Sequence, residues 1–233
     1  MMEPTFSPSL MSLDPLYVAE EMKILNKYCH MLHMDVMDGH FAKNLAIPPY
    51  FVKAVRKVTS LPIECHLMVE RPNEFIVDSM MDSGADIISL HAETISVDAY
   101  RTLNKIKASG KKFGVVLCPA TPLSFIESYI GQVDYLTVMT VDIGYSGQKF
   151  IPQMLEKVAA AYELREKYGW HYRIQADGNV GKAVYKPLWE AGADTFVMGS
   201  ASMFLKGNTL EENALLMHED FFAQTGVRAK INE

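Results

Sequence analysis

Residues 83–91 read SGADIISLH, and residues 191–199 read AGADTFVMG. Each stretch is a small residue, a glycine, Ala-Asp, and then a short apolar run. Glycine suits the position just past a helix, because it takes positive φ without penalty. The runs 86–91 and 195–198 are short and apolar, as a strand buried on both faces is. The chain therefore passes from helix to strand twice through one kind of αβ junction. We read this as one junction used again, not as a sequence repeat.

The same alternation covers the whole chain. Apolar strand-like runs fall at 6–11, 30–37, 63–69, 86–91, 113–118, 135–140, 172–177 and 195–198. Helical patterns follow them at 16–28, 50–58, 73–83, 97–109, 122–130, 152–168, 182–191 and 210–222. Asp14-Pro15 opens the first, with Asp as N-cap and Pro at the first helical position. Eight strand–helix units in 233 residues predict an α/β chain folded as a single (β/α)8 TIM barrel, one domain over 1–233. A doubly wound open sheet is the competing arrangement, but no G-x-G-x-x-G follows the first strand.

Composition narrows the function classes. Net charge is −6 and no Lys/Arg cluster stands out, which argues against a nucleic-acid or membrane surface as partner. No apolar run reaches the ~18 residues of a membrane span. The start, MMEPTFSPSL, lacks a signal-peptide pattern. The three cysteines, Cys29, Cys65 and Cys118, are scattered and odd in number, which fits a cytoplasmic protein without a disulfide framework. Most of the 15 methionines read as adaptable core filling.

In such a barrel the chemistry sits at the C-terminal ends of the strands. The out-of-place polar residues lie there: Ser9, His33 and Asp35, His66, His91, Asp177, and Gly199-Ser200. In HMDVMDGHF (33–41), His33, Asp35 and Met37 share one face of a strand, and Met34 and Val36 the other. In IECHLMV (63–69), Glu64, His66 and Met68 share a face, and Cys65 points away, so Cys65 and His66 are not one metal site. His33, Asp35, His66 and Asp177 together suit a divalent Zn, Fe, Mn or Co ion. A buried His–Asp ion-pair network explains the same residues. In MTVDIGYSGQKF (139–150), Gly144 and Gly147 bracket Tyr145-Ser146 ahead of a helix. With Gly178-Asn179 and Gly199-Ser200 they suggest a phosphate-binding barrel, since backbone N–H groups near glycines and helix starts bind anions.

The stretches SPSLM (7–11), HMDVMDGHF (33–41), CHLMV (65–69), MTVDIGYSGQKFI (139–151), DGN (177–179) and GSASMF (199–204) resemble the ribulose-phosphate 3-epimerase family along nearly the whole chain. HAETI (91–95), Arg71-Pro72 and Asp142 resemble its D-allulose-6-phosphate 3-epimerase branch. The resemblance implies a metal-dependent isomerase that inverts C3 of a D-ketose phosphate through a cis-enediolate. It implies His33, Asp35, His66 and Asp177 as ligands of one divalent ion, with Asp35 and Asp177 also the two acid/base groups. Ser9 and His66 would touch substrate. Met37, Met68 and Met139 would line the reacting carbon, and Gly144, Tyr145, Ser146, Gly147, Gly178, Asn179, Gly199 and Ser200 would hold the phosphate. It also implies a homo-oligomer, dimer or hexamer.

Inverting a carbon α to a carbonyl needs a base on one face and an acid on the other, which two carboxylates can supply. The chain departs from the family pattern at Lys43, Ile143, Gln175-Ala176 and Asn179. Ile143 replaces a proline, and Asn179 replaces a glycine but tolerates left-handed backbone. A Schiff-base aldolase would need an inward lysine at a strand's end, whereas Lys111 and Lys112 precede theirs. A non-catalytic sugar-phosphate-binding barrel would not need both aspartates.

Overall fold

The computed structural model describes residues 2–232. Its described residues form one nine-stranded sheet: β1 (Thr5–Pro8), β2 (Leu32–Asp38), β3 (Leu45–Ala46), β4 (Ile63–Met68), β5 (Ile87–His91), β6 (Lys112–Leu117), β7 (Tyr135–Met139), β8 (Arg173–Asp177) and β9 (Thr195–Met198). The order is β1-β9-β8-β7-β6-β5-β4-β2-β3. Every pairing is parallel except β2 with β3. A parallel bridge between Ser9 and His33 joins the end of β1 to β2. That bridge closes the eight parallel strands into the expected barrel.

Helices α1 (Val18–Tyr28), α2 (Pro49–Val55), α3 (Ile76–Asp82), α4 (Ala99–Ala108), α5 (Met154–Tyr168), α6 (Tyr185–Glu190) and α7 (Leu210–Thr225) surround it. Their apolar faces share one core with the outward residues of the strands, among them Met34, Cys65, Ile88, Val115, Leu136, Ile174 and Phe196.

Four local expectations need correction. The expected helix at 122–130 is two 3-10 turns, Leu123–Ile126 and Ile130–Gln132. Tyr129 leaves helical geometry at φ −134° between them, and a Cβ on Gly131 would lie 2.7 Å from the Trp170 indole. The first helix begins at Val18, with Tyr17 as N-cap. The Asp14 carboxylate instead accepts from the Leu16 N–H at 3.0 Å, a local turn that competes with helix initiation. The helix at 73–83 is shortened to α3, after a 3-10 turn at Pro72–Glu74. Strand β3 adds an element that the sequence pattern does not show, because two residues are too few for an alternation.

The paired junctions are built alike. Gly84 and Gly192 both have φ +102°. The N–H groups of Ala85 and Ala193 donate back to Met80 and Leu188, and both alanines are buried. The following aspartate ties the new strand to its surroundings. Asp86 accepts from the Ile63 N–H at 2.9 Å and from Arg56 at 2.8 Å. Asp194 accepts from Arg165 at 2.6 Å and Arg173 at 3.0 Å.

Inside the barrel the side chains form layers. Met31, Ile87 and Tyr135 pack together at the N-terminal end of the strands. Next comes a buried polar layer of Glu64, Ser89, Thr137 and Gln175. Glu64 accepts from Ser89 Oγ at 2.5 Å and from Gln175 Nε2 at 2.9 Å. Gly114 makes room for it, since a Cβ there would lie 2.0 Å from Ser89 Oγ. Above this floor stand the histidines and aspartates of the candidate site.

Candidate active site

Strand register brings four side chains to one point. His33 and Asp35 are two residues apart on β2, and His66 stands opposite Asp35 on β4. Asp177 ends β8 opposite Met139. All four are buried, the histidines completely. His33 Nε2 lies 3.2 Å from His66 Nδ1, 3.3 Å from Asp35 Oδ1 and 3.4 Å from Asp177 Oδ2. His66 Nδ1 lies 3.5 Å from Asp35 Oδ1 and 3.3 Å from Asp177 Oδ2.

These four atoms fit a divalent cation. A tetrahedral ion with N/O ligands at about 2.0–2.1 Å has ligand–ligand edges of about 3.3–3.4 Å, close to the separations seen. Asp177 Oδ2 is buried and accepts no hydrogen bond among the described residues, although it faces both imidazoles. The two imidazole nitrogens also face each other, so at least one presents a lone pair rather than a proton. Without an ion, protons take over the role of positive charge. Burial alone would lower the His33 pKa, but Asp35 and Glu64 push it well above the usual imidazole value. Burial would raise the pKa of Asp35 and of Asp177, but the two histidines hold both below the usual carboxylate range.

Glu64 supports the cluster from below. Its Oε2 lies 2.9 Å from His33 Nδ1. A carboxylate on the far nitrogen of a ligating imidazole fixes the ring's tautomer and raises its basicity. Sequence reasoning placed Glu64 on the same face as His66 but gave it no role. The β2–β4 register, which pairs His33 with Glu64, supplies the missing signal. Ser9 Oγ donates to Asp35 Oδ2 at 2.5 Å, which leaves Oδ1 facing the histidines.

A pocket of about 620 Å³, counting its open mouth, lies over the aspartates. Ser9, Met37, Met68, Met139, Asp35 and Asp177 line it at the barrel end. Gly144, Tyr145, Ser146, Gly147, Gly178, Asn179, Gly199 and Ser200 line it as well. Of the residues expected to meet substrate, only His66 is absent from the wall, lying fully buried. Asp142 and Ile143 also line the pocket.

The glycine loops have specific backbone needs. Gly178 has φ +120°, and a Cβ there would lie 2.5 Å from Val141 Cγ2 and 2.9 Å from Val141 N. Asn179 has φ +52°, the left-handed backbone that its side chain tolerates. Asn44 Nδ2 donates to the Gly144 carbonyl at 2.8 Å and Gln148 Nε2 to the Tyr145 carbonyl at 2.9 Å. The first ties two loops together and the second braces one loop internally, and neither leaves a periodic trace in sequence.

The family model described as "Ribulose-phosphate 3 epimerase family" matches residues 5–203. This chain belongs to that family. It is 41% identical over 197 residues to the ribulose-phosphate 3-epimerase of Bacillus subtilis, covering 84% of this chain and 90% of that one. It is 40% identical to the chloroplastic ribulose-5-phosphate-3-epimerase of Arabidopsis thaliana, covering 84% of this chain and 70% of the relative. Membership makes the chain an isomerase of the epimerase type. The fold also resembles 3-keto-L-gulonate-6-phosphate decarboxylase from Vibrio cholerae, at TM-score 0.71 and 13% identity over 96% of this chain and 99% of that one. At that identity the likeness concerns the barrel alone. Among the described residues, no helix is long and apolar enough to cross a membrane.

Proposed function

We propose that this epimerase inverts C3 of a D-ketose phosphate, with Asp35 and Asp177 as the two acid/base groups. The observation that carries the reading is the convergence of both carboxylates with His33 and His66 on one buried point, beneath a pocket walled by the glycine loops. We assign His33, Asp35, His66 and Asp177 as holders of one divalent ion of Zn, Fe, Mn or Co. Such an ion, when bound, supplies Lewis-acid stabilisation of the charge that develops on the substrate's oxygens.

The chain's own residues do the rest. One aspartate takes the C3 proton and the other returns a proton to the opposite face. Asp35 and Asp177 come from β2 and β8, so they approach the pocket from different strands. Ser9 holds the Asp35 carboxylate in orientation. Met37, Met68 and Met139 give the reacting carbon polarizable, non-basic walls that offer no competing proton donor. The loops at Gly144–Gly147, Gly178-Asn179 and Gly199-Ser200 bind the phosphate through backbone N–H groups.

D-allulose 6-phosphate/D-fructose 6-phosphate is the favoured pair. The HAETI stretch, Arg71-Pro72 and Asp142 support it, and Asp142 lines the pocket. D-ribulose 5-phosphate/D-xylulose 5-phosphate is the second reading, supported by the names of the relatives at about 40% identity. The proposal includes a cytoplasmic homo-oligomer, dimer or hexamer, which light scattering resolves.

The test is turnover of Asp35→Asn and Asp177→Asn on both substrate pairs. Each variant is expected to fold and to lose about 10²–10⁴-fold in kcat. Wild-type turnover in either would remove that aspartate from the acid/base pair.

A further inference from the structure

Behind the four-residue cluster the polar side chains continue in a line. His66 Nε2 lies 2.9 Å from His91 Nε2. His91 Nδ1 lies 3.4 Å from Cys118 Sγ and 3.5 Å from Glu93 Oε2. Both histidines are completely buried. Their rings meet edge to edge, with centroids 5.0 Å apart and planes 28° apart, and Phe41 covers His91 at 4.9 Å. Glu93 is anchored through its other oxygen, which accepts from the Thr121 hydroxyl and from the Cys118 N–H. Its Oε2 is buried, and among the described residues the charged or polar group it faces is His91 Nδ1, at the long separation of 3.5 Å.

His91, Glu93 and Cys118 are close enough to hold a cation themselves. Proton counting argues for another role. A neutral imidazole carries one proton, on one nitrogen. If His66 presents Nδ1 to an ion, its proton sits on Nε2 and points at His91 Nε2. His91 Nε2 then accepts, so the proton of His91 sits on Nδ1, facing Cys118 and Glu93. A cation at that nitrogen would have to displace this proton.

We infer that His91 is a positioning residue for His66, accepting its Nε2–H while its own Nδ1–H is held by Cys118 Sγ and attracted by the Glu93 carboxylate. The inference rests on the metal-site reading above. The line of bonds fixes which nitrogen of His66 offers a lone pair and how its ring is turned. Removing the acceptor leaves a buried N–H unpaired. Outer partners of this kind are worth about 10–100-fold in metal affinity.

The experiment uses the full chain loaded with zinc. Long-range ¹⁵N–¹H spectra of the histidine rings are expected to show His66 as the Nε2–H tautomer and His91 as neutral Nδ1–H. In chelator competition, His91→Leu is expected to bind zinc about 10–100-fold more weakly. His91→Gln, whose side-chain carbonyl can accept from His66, is expected to recover part of that loss.

An Nε2–H or doubly protonated His91 in the zinc-loaded protein would overturn the inference. So would wild-type zinc affinity in His91→Leu, or a second zinc per chain that Cys118→Ala abolishes. Should His91→Leu fail to fold, Glu93→Gln decides: weaker zinc binding supports the inference and unchanged binding overturns it. A wild-type protein that takes up no zinc, manganese, iron or cobalt sinks the metal reading and this inference together. A wild-type protein that binds zinc, beside variants that bind it equally well, sinks the inference alone.

Discussion

Glu64 and His33 face each other across the β2–β4 pairing, with Oε2 2.9 Å from Nδ1 and both side chains completely out of solvent. Glu64 has a partner for each oxygen, since Ser89 and Gln175 donate to it as well. It is therefore a buried charge that is both paired and hydrogen-bonded, the condition under which burial is tolerated. Glu64→Gln keeps the shape and removes the charge. It is expected to weaken divalent-ion affinity by about 10–100-fold. Metal content after dialysis against a graded chelator measures it, and full retention would mean that His33 needs no anionic support.

Gly178→Ala tests the loop geometry beside Asp177. The added Cβ would meet the Val141 side chain and backbone, on a backbone at φ +120°. Strain of this kind costs about 1–3 kcal/mol, and it falls on the residue next to a proposed acid/base group. The variant is expected to raise KM and lower kcat together. Unchanged kinetics would show that the loop moves aside without consequence.

Much of this site was legible in the sequence. The period of two put His33 with Asp35 on one face and turned Cys65 away from His66. Cys65 does pack in the helix-side core. The bracketing glycines placed the loops that line the pocket. What was not legible depends on register between strands. Which residue of β4 stands beside His33 follows from hydrogen-bond pairing, and a single strand's pattern does not contain it. The line from His66 to His91 needs β4 and β5 in place, and the floor of Ser89, Gln175 and Thr137 under Glu64 needs four strands. Local propensity misled at 122–130, where Ile126 and Ile130 carry a helical spacing although packing at Gly131 and the break at Tyr129 win.

Acid sensitivity has a source far from the site. His30 Nδ1 accepts from the Phe6 N–H at 2.9 Å, and His30 Nε2 donates to the Lys230 carbonyl at 2.9 Å. Both bonds together require the neutral ring. Burial, the largest cause, lowers the His30 pKa below its usual value. The folded state therefore binds fewer protons than the unfolded state, so this stability is complete above the unfolded value near 6.5 and declines as pH falls below it. His30→Gln is expected to flatten the fall in urea midpoint between about pH 7.5 and about pH 5.5. An equally steep fall in the variant would assign the sensitivity elsewhere. The comparison within one position also separates His30 from His33 and His66, whose raised values act with the opposite sign.

Asn232 caps the end of α1 from a distant part of the chain. Its N–H donates to the Lys27 carbonyl at 2.9 Å, and its side-chain amide to the carbonyls of Asn26 and Cys29 at 2.9 and 2.7 Å. Asn232→Ala removes two of the three bonds. A stability loss of about 1–3 kcal/mol is expected, at a net of about 0.5–1.5 kcal/mol per bond. Urea titration measures it, with kcat and KM unchanged as the matching control.

The proposed reaction is proton exchange at C3 by Asp35 and Asp177 at a metal-dependent site. The most direct measurement is NMR in D2O of D-allulose 6-phosphate, D-fructose 6-phosphate and D-ribulose 5-phosphate, each incubated separately with the metal-loaded enzyme. Deuterium at C3 together with the C3 epimer is expected, lost on chelation and restored by a divalent ion, with a hexulose phosphate the faster substrate. A folded, metal-loaded protein that leaves C3 unlabelled in all three sugars would contradict it.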